Sequence, residues 1–380
     1  MGMVTQPKYK VELFWDLDMD VHRTSKVVTG LVELARQQKI LLEPRVGMTF
    51  KETGRPEGHI FAWMVAERLS DHQRLNIAID LHDLSTLFYE EALQACDVYL
   101  KKSFYPPDVE KCAGGMDHKV IPFGFNMPCS STSSKLLVQR WLLRLYSRMF
   151  LRSPQEALTH WHSQWGFYRT FLDGPTLKDF EQTPDVPVQP KVVFQTRVWS
   201  EKEVGPDNHV IVNSLRVDVI RQLRRGLGDQ FVGGLVPTEY ARAHYPDVLA
   251  SAPARRRVFI RWSKRNLVGV YVRGLNYSYG FRFAEHLAAS QCVVAHPDGF
   301  RNLAPVQPQE GVHYLPFNTP EECAKQCKRL LDDAKLAQTI RQANYQYYRQ
   351  HVAPAAHLWN CLERAFSHQE ETGGGSYGYA

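Results

Sequence analysis

Short apolar runs alternate with longer amphipathic ones along this chain, and the alternation starts twice. In the first half Val11–Trp15 reads as a buried strand and about 23–38 as a helix, with Val27, Val28, Leu31 and Leu34 on one face. Strands are expected at 39–43, 59–65, 75–80, 97–101 and 118–123, with a helix over about 84–95. Residues 134–172 read as two helices broken at Ser153-Pro154, because proline opens a helix but cannot continue one. In the second half strands are expected at 191–195, 230–236, 267–272, 291–295 and 311–316. Helices are expected over about 210–227, 238–250, 279–289 and 319–350, and from Pro354. Strands alternating with helices predict parallel sheets covered on both faces.

Between the two blocks lies a stretch carrying Pro175, Pro184, Pro187 and Pro190, read as a linker. The expected layout is a first domain over 1–173, the linker over 174–190 and a second domain over 191–353. A last helix over 354–370 is expected to pack back on the first domain, ahead of a flexible tail at 371–380. An α/β protein of two Rossmann-like domains facing a cleft is expected, with ligands outside the carboxyl ends of the strands. A chain of 380 residues fits two cores better than one.

Composition changes the picture little. The net charge of +6 favours anionic partners without choosing among them. Seven cysteines, with no Cys-x-x-Cys pair, predict reduced thiols and a reducing compartment. The opening residues lack a signal-peptide pattern, and no stretch approaches a membrane span. A cytoplasmic protein is expected, with peripheral contact on the inner membrane surface as an addition.

The densest chemistry lies around residues 274–295. A polar loop with Gly274 and Gly280 follows one strand and opens a short helix, which leads into another strand. Unpaired amides and the helix dipole make such a loop a seat for phosphate. Glu285, one turn into the helix, could hold a ribose. His286 beside it reads as structural.

This second half resembles the donor domain of GT-B glycosyltransferases, of the group 1 type. The likeness rests on Arg197 and Lys202 after the first strand of the half, and on the segment from Gly280 to Ala295. It rests also on 302–315, which ends in a strand and a Pro-Phe turn, and on the helices over 320–336. It spans roughly 191–358. The resemblance implies a metal-independent transfer of a hexosyl or pentosyl group from a nucleotide diphosphate-sugar, bound as co-substrate with no other cofactor. The acceptor would be a glycan, a lipid-linked molecule or a small molecule, as in polysaccharide biosynthesis. The donor would be held by Arg197, Lys202, Lys264, Asn276, Tyr277, Ser278, Tyr279, Gly280, Phe281, Arg282 and Glu285, and no metal ligands are expected. The Glu-x7-Glu motif of retaining members would put its first glutamate at position 277, where this chain has Tyr277. The resemblance therefore does not carry retention of configuration.

An acceptor base is sought among Asp18, Asp20 and His22, in the acidic turn that also contains Asp16. His82 and Asp83 form a second constellation. The Asp-x-Asp pattern at 16–20 also fits the metal motif of GT-A transferases or a haloacid-dehalogenase-type nucleophile. The former would stand far from this N-terminus. The latter needs an acidic pair at a later strand end, and Asp332-Asp333 sits in a helical pattern.

Two basic features remain. Arg255, Arg256, Arg257, Arg261, Lys264 and Arg265 are interleaved with Phe259 and Trp262. They support the alternative of a non-catalytic polyanion- or nucleic-acid-binding protein, although nucleic acid is not the expected partner. Arg140, Arg144, Arg148 and Arg152 recur every fourth residue of one helix and could touch an anionic membrane.

Overall fold

The computed structural model describes residues 6–15, 19–46, 60–251 and 255–373. It divides into two compact units, one of Met1–Thr176 with His351–Ala380 and one of Leu177–Gln350. Each has its own sheet, so the α/β class and the two separate sheets expected from the GT-B resemblance are present.

The first unit runs β1 (Tyr9–Trp15), α1 (Ser25–Arg36), β2 (Ile40–Val46), β3 (Phe61–Arg68), β4 (Arg74–Asp80), α2 (Glu90–Ala95), β5 (Val98–Lys101), α3 (Pro106–Cys112) and β6 (Val120–Pro122). Two long helices follow, α4 (Thr132–Arg152) and α5 (Pro154–Leu172). The strand order is β2-β1-β3-β4-β5-β6. Every second residue of β1 is buried, from Tyr9 through Val11 and Leu13 to Trp15, as a period of two requires.

The all-parallel expectation fails at one strand. β3 runs antiparallel to both β1 and β4. Its link to β4 is residues 69–73 alone, closed by Arg68 N–H on Gln73 O at 2.9 Å. A parallel crossover needs about a dozen residues or more, so so short a link dictates a hairpin. The helix expected over 84–95 is confined to α2. Tertiary groups hold the preceding residues: Lys101 Nζ donates to Leu87 O at 2.5 Å, and Tyr89 N–H to Tyr99 Oη at 3.2 Å. The break at Ser153-Pro154 is as expected, with Ser153 Oγ accepting from Glu156 N–H and Pro154 opening α5.

The second unit begins inside the segment expected as linker. Its elements are α6 (Leu177–Phe180), β7 (Gln189–Thr196), α7 (Glu201–Val204), α8 (Pro206–Leu227), β8 (Phe231–Leu235), α9 (Glu239–His244), α10 (Arg256–Ser263), β9 (Asn266–Tyr271), α11 (Phe281–Ala288), β10 (Cys292–Ala295), β11 (Leu315–Pro316), α12 (Pro320–Asp332) and α13 (Ala334–Tyr347). Asp179 and Phe180 in α6 are buried, which anchors the proline-rich stretch instead of leaving it a tether. The sheet is fully parallel, in the order β11-β10-β9-β7-β8. Its first strand, β7, lies between β8 and β9, so the winding reverses between β7 and β9. In open α/β sheets a ligand crevice forms at such a switch point, outside the carboxyl ends of the strands.

The chain then enters α14 (Pro354–Gly373), which packs on α1 and puts Leu358, Leu362, Ala365 and Phe366 into the first core. A Cβ on Gly30 of α1 would stand 2.5 Å from Pro354 O, so glycine is what lets the two helices approach. Residues 371–373 continue this helix, while the rest of the expected tail, 374–380, lies outside the described residues. All seven cysteines are free thiols. Among the described residues no helix is long and apolar enough to cross a membrane.

Candidate active site

The carboxyl ends of β7, β9 and β10 lead into the residues that matter most. β7 ends at Thr196, and Arg197 follows it. Glu203 Oε1 holds the Arg197 guanidinium at 2.7 Å, and the ring of Trp199 lies 3.9 Å from it. The same Glu203 caps Ser200 through Oε2, so its carboxyl sits below the usual range, chiefly because of the Ser200 hydrogen bonds. Lys202 is exposed on the short helix α7.

β9 ends at Tyr271, and Arg273 comes two residues later. Its side chain is among the most buried of the described residues, at 2% exposure, and its Nε and Nη1 have no hydrogen-bond partner among them. The guanidinium lies 4.0 Å from the ring of Tyr277, whose ring Arg301 also approaches, at 4.5 Å. A buried guanidinium with donors unmet costs free energy that a bound anion would return. His296, just after β10, is half-buried; burial and the nearby Arg273 hold its imidazole below the usual range.

Arg216 of α8 ties two of these segments together. Its Nη1 donates to Arg197 O at 2.5 Å and its Nη2 to Arg273 O at 3.0 Å. Burial brings its pKa down to about 10. Neither Arg216 nor Arg273 stands out in the sequence reading, although a signal exists. Arg216 falls in the stripe Val212, Val219, Ile220 and Leu223, which the helix buries. A charge in such a stripe has a tertiary task.

The loop expected to cradle phosphate is built differently. Asn276 and Tyr277 both take left-handed backbone, at φ 53° and 57°, which costs non-glycine residues about 1–3 kcal/mol each. Two of the expected amide donors are already engaged. Ser278 N–H donates to Leu275 O at 2.9 Å, and Gly280 N–H to Tyr271 Oη at 3.0 Å. Tyr279 is buried with its hydroxyl on Asn302 O, and Asn302 Nδ2 donates to Tyr277 O at 2.9 Å. Phe281 begins α11.

Glu285 does not stand open to a ribose. Arg256 Nη2 reaches its Oε1 at 2.6 Å and Arg282 Nη1 its Oε2 at 2.6 Å. Burial alone would raise its pKa, but these two guanidinium groups outweigh burial and hold it at about 2. The adjoining cavity, lined by Phe180, Lys264 and His286, measures about 10 Å³, room for a single water. Arg282 lies across Phe259 at 4.2 Å, on the α10 side of its helix. His286 packs where a Cβ on Gly269 would come within 2.3 Å of its Nδ1, and that nitrogen pairs with Gln291 Oε1 at 2.7 Å. It is structural, as expected.

The basic run is largely consumed inside the unit. Arg256 pairs with Glu285, Arg257 and Arg261 both hold the buried Asp179, and Lys264 donates to Lys178 O and Glu181 O at 3.0 and 3.2 Å. Lys264 is thus a fastener for α6 and not a free phosphate ligand. The alternative of a polyanion-binding protein loses most of its cations.

On the first unit, Asp16 and Asp18 lie outside the described residues. Asp20 is buried, with Oδ1 accepting from Arg23 N–H at 3.0 Å and Oδ2 3.5 Å from Arg23 Nε, so it stabilises the turn into α1. His22 is half-buried on the same turn. Asp83 pairs with Lys102, and His82 Nδ1 accepts from Leu84 N–H at 3.1 Å, which gives that constellation a structural role.

A family described as "Glycosyl transferase-like" matches residues 216–365, from Arg216 through Arg273 and Glu285 into α14. No curated protein matches the sequence. Among solved structures, a glycosyltransferase from Rickettsia africae is 12% identical over 96% of this chain and 99% of its own, with a TM-score of 0.36. Anabaena Alr3699/HepE in complex with UDP and glucose is 10% identical over 87% of this chain and 88% of its own, with a TM-score of 0.40. The S. aureus MnaA-UDP co-structure is 12% identical over 94% of this chain and 97% of its own, with a TM-score of 0.39. These solved structures are distant likenesses, and the sequence match is confined to residues 216–365, where the chain is similar to the glycosyl transferase-like family.

Proposed function

We propose that the protein transfers a sugar from a nucleotide diphosphate-sugar to an acceptor hydroxyl, with the leaving diphosphate held at the switch point of the second unit. The observation that carries this reading is Arg273, whose buried guanidinium keeps Nε and Nη1 without partners directly after the central strand β9. Its fork fits two phosphate oxygens, and a preorganised cation there stabilises the charge that develops as the sugar–phosphate bond breaks. Arg197 adds a second cation by releasing Glu203, and the guanidinium groups take the part that a metal plays elsewhere.

In the transfer the acceptor oxygen bonds to the anomeric carbon, the carbon–oxygen bond to the phosphate breaks, and the diphosphate leaves with the electron pair. The acceptor proton passes to a base. We assign the base to His22 rather than Asp20, whose carboxylate is committed to Arg23.

A thermal-shift panel of UDP, GDP, dTDP, ADP and CMP tests the donor site, followed by donor hydrolysis with any hit. At least one nucleoside diphosphate should raise the melting temperature of the wild type and leave Arg273→Gln unmoved. His22→Gln should keep the shift and lose transfer. A panel with no response, or an Arg273→Gln protein that responds like wild type, would overturn the reading.

A further inference from the structure

The hairpin of α4 and α5 lies outside the matched segment and supplies nothing to the site above. Its inner face is ordinary core, with Val138, Trp141, Leu142, Leu145, Tyr168 and Phe171 buried. Its outer face is not ordinary. Leu136, Leu143 and Phe150 project from α4 well exposed, Leu143 at 70% and Leu151 beside them at 86%. Leu158 and Trp165 do the same on α5. A spacing of seven returns to nearly the same side of a helix, drifting about 20° per step, so each set forms a narrow stripe. Between the helices runs a groove of about 880 Å³ whose lining is almost wholly apolar and includes Leu142, Leu143, Tyr146, Phe150, Leu158 and Trp161. A contiguous apolar surface of this kind on a folded unit marks an interaction site.

Arg140, Arg144, Arg148 and Arg152 recur every fourth residue of the same helix, with Arg144 next to Leu143 and Arg152 next to Leu151. All four are exposed, and none makes an ion pair among the described residues. α4 contains no acidic residue at all. We propose that this hairpin docks the protein on an anionic phospholipid leaflet. The leucines and Phe150 enter the boundary of headgroups and acyl chains, and Trp165 sits at headgroup level. The arginine row pairs with lipid phosphates.

Charge selects this occupant. A second copy meeting the same face about a two-fold axis would set arginine row against arginine row, with no carboxylate on α4 to relieve it. An anionic leaflet supplies both things the face lacks, hydrocarbon for the stripe and negative charge beside it. The inference stands apart from the sugar-transfer reading, since no residue of α4 or α5 belongs to the candidate site.

Vesicle flotation of the full chain tests it. The wild type should float with vesicles of phosphatidylcholine and about 30% phosphatidylglycerol, and stay in solution with phosphatidylcholine alone. The variant R140Q/R144Q/R148Q/R152Q should partition at least about a hundredfold more weakly, since each arginine near an anionic surface is worth about fivefold. The variant L143S/F150S should lose binding to anionic vesicles while keeping the four charges. Circular dichroism and the melting temperature verify folding, and single Arg→Gln variants replace any multiple variant that fails. Lipids brominated along the acyl chain should quench wild-type fluorescence more than that of Trp165→Phe. A wild type that stays in solution with anionic vesicles overturns the proposal. So does a folded quadruple variant that binds like wild type, or a wild-type dimer that L143S/F150S converts to monomer.

Discussion

Arg216 donates from Nη2 to the backbone oxygen of Arg273 at 3.0 Å, and the same guanidinium reaches Arg197 O with Nη1 at 2.5 Å. One buried side chain on α8 therefore fixes the chain ends that leave β7 and β9, the two strands on either side of the switch point. Arg216→Met removes both bonds and leaves two carbonyls unmet. It should cost about 2–3 kcal/mol in urea denaturation. It should also weaken nucleoside diphosphate binding by calorimetry, because Arg197 and Arg273 lose their common support.

Arg273 itself should behave in the opposite way for stability. Its Nε and Nη1 are buried without partners, so the fold bears a desolvation cost for holding it. Replacing it with methionine of similar length should stabilise the unliganded protein by about 1–3 kcal/mol while abolishing the nucleotide-induced shift. A stability loss of that size in urea denaturation would mean that the guanidinium serves packing and not a ligand.

Glu285 is expected to matter for folding. Its carboxylate is enclosed by Arg256 and Arg282, and removing it strands two guanidinium groups. Glu285→Ala should cost about 3–5 kcal/mol by urea denaturation. Because the folded pKa drops from 4.5 to about 2, the group adds stability above pH 4.5 and loses it as the pH falls toward 2. The acid limb of the wild-type stability profile should therefore flatten in Glu285→Gln.

Lys26 gives the first unit an alkaline signature. It is fully buried on α1, where burial lowers its pKa from 10.5 to about 7, and its Nζ meets His357 Nδ1 of α14 at 2.8 Å. The unfolded chain keeps its proton up to pH 10.5 while the folded one releases it near 7. Stability should rise with pH between those values, and the rise should vanish in Lys26→Met. Urea midpoints at pH 6, 8 and 10 (about two units apart) would show it.

Asp179 restrains the basic run. Its carboxylate holds Arg257 and Arg261 against α6. Asp179→Ala should release both arginines and increase salt-dependent retention on heparin over the wild type. A wild type already retained as strongly as the variant would revive the polyanion-binding alternative.

Much of the architecture follows from local pattern. The stop at Ser153-Pro154 is visible because proline cannot extend a helix and serine caps one. The helix expected over about 210–227 is visible because its apolar residues keep the helical period, and the structure extends it back to Pro206. The hairpin of β3 and β4 is legible too, because strands expected at 59–65 and 75–80 leave a link shorter than a crossover needs. The candidate site was much less so. Arg256 and Glu285 are 29 residues apart, and only folding decides that they meet. The charges of Lys264 and Arg282 look available in the sequence, and the packing of α10 against α6 and α11 spends them.

The sequence by itself determined most of the strands and the long helices, that there are two α/β blocks, and which family the second one resembles. Those properties depend on neighbours along the chain, whose spacing sets periodicity, capping and turns. The tertiary structure alone decided that Glu285 meets Arg256, and that two nitrogens of Arg273 are buried without hydrogen-bond partners among the described residues. A buried charge finds its partner, or fails to, through distances between segments far apart in sequence, and the alternation of apolar and polar residues carries no record of those distances.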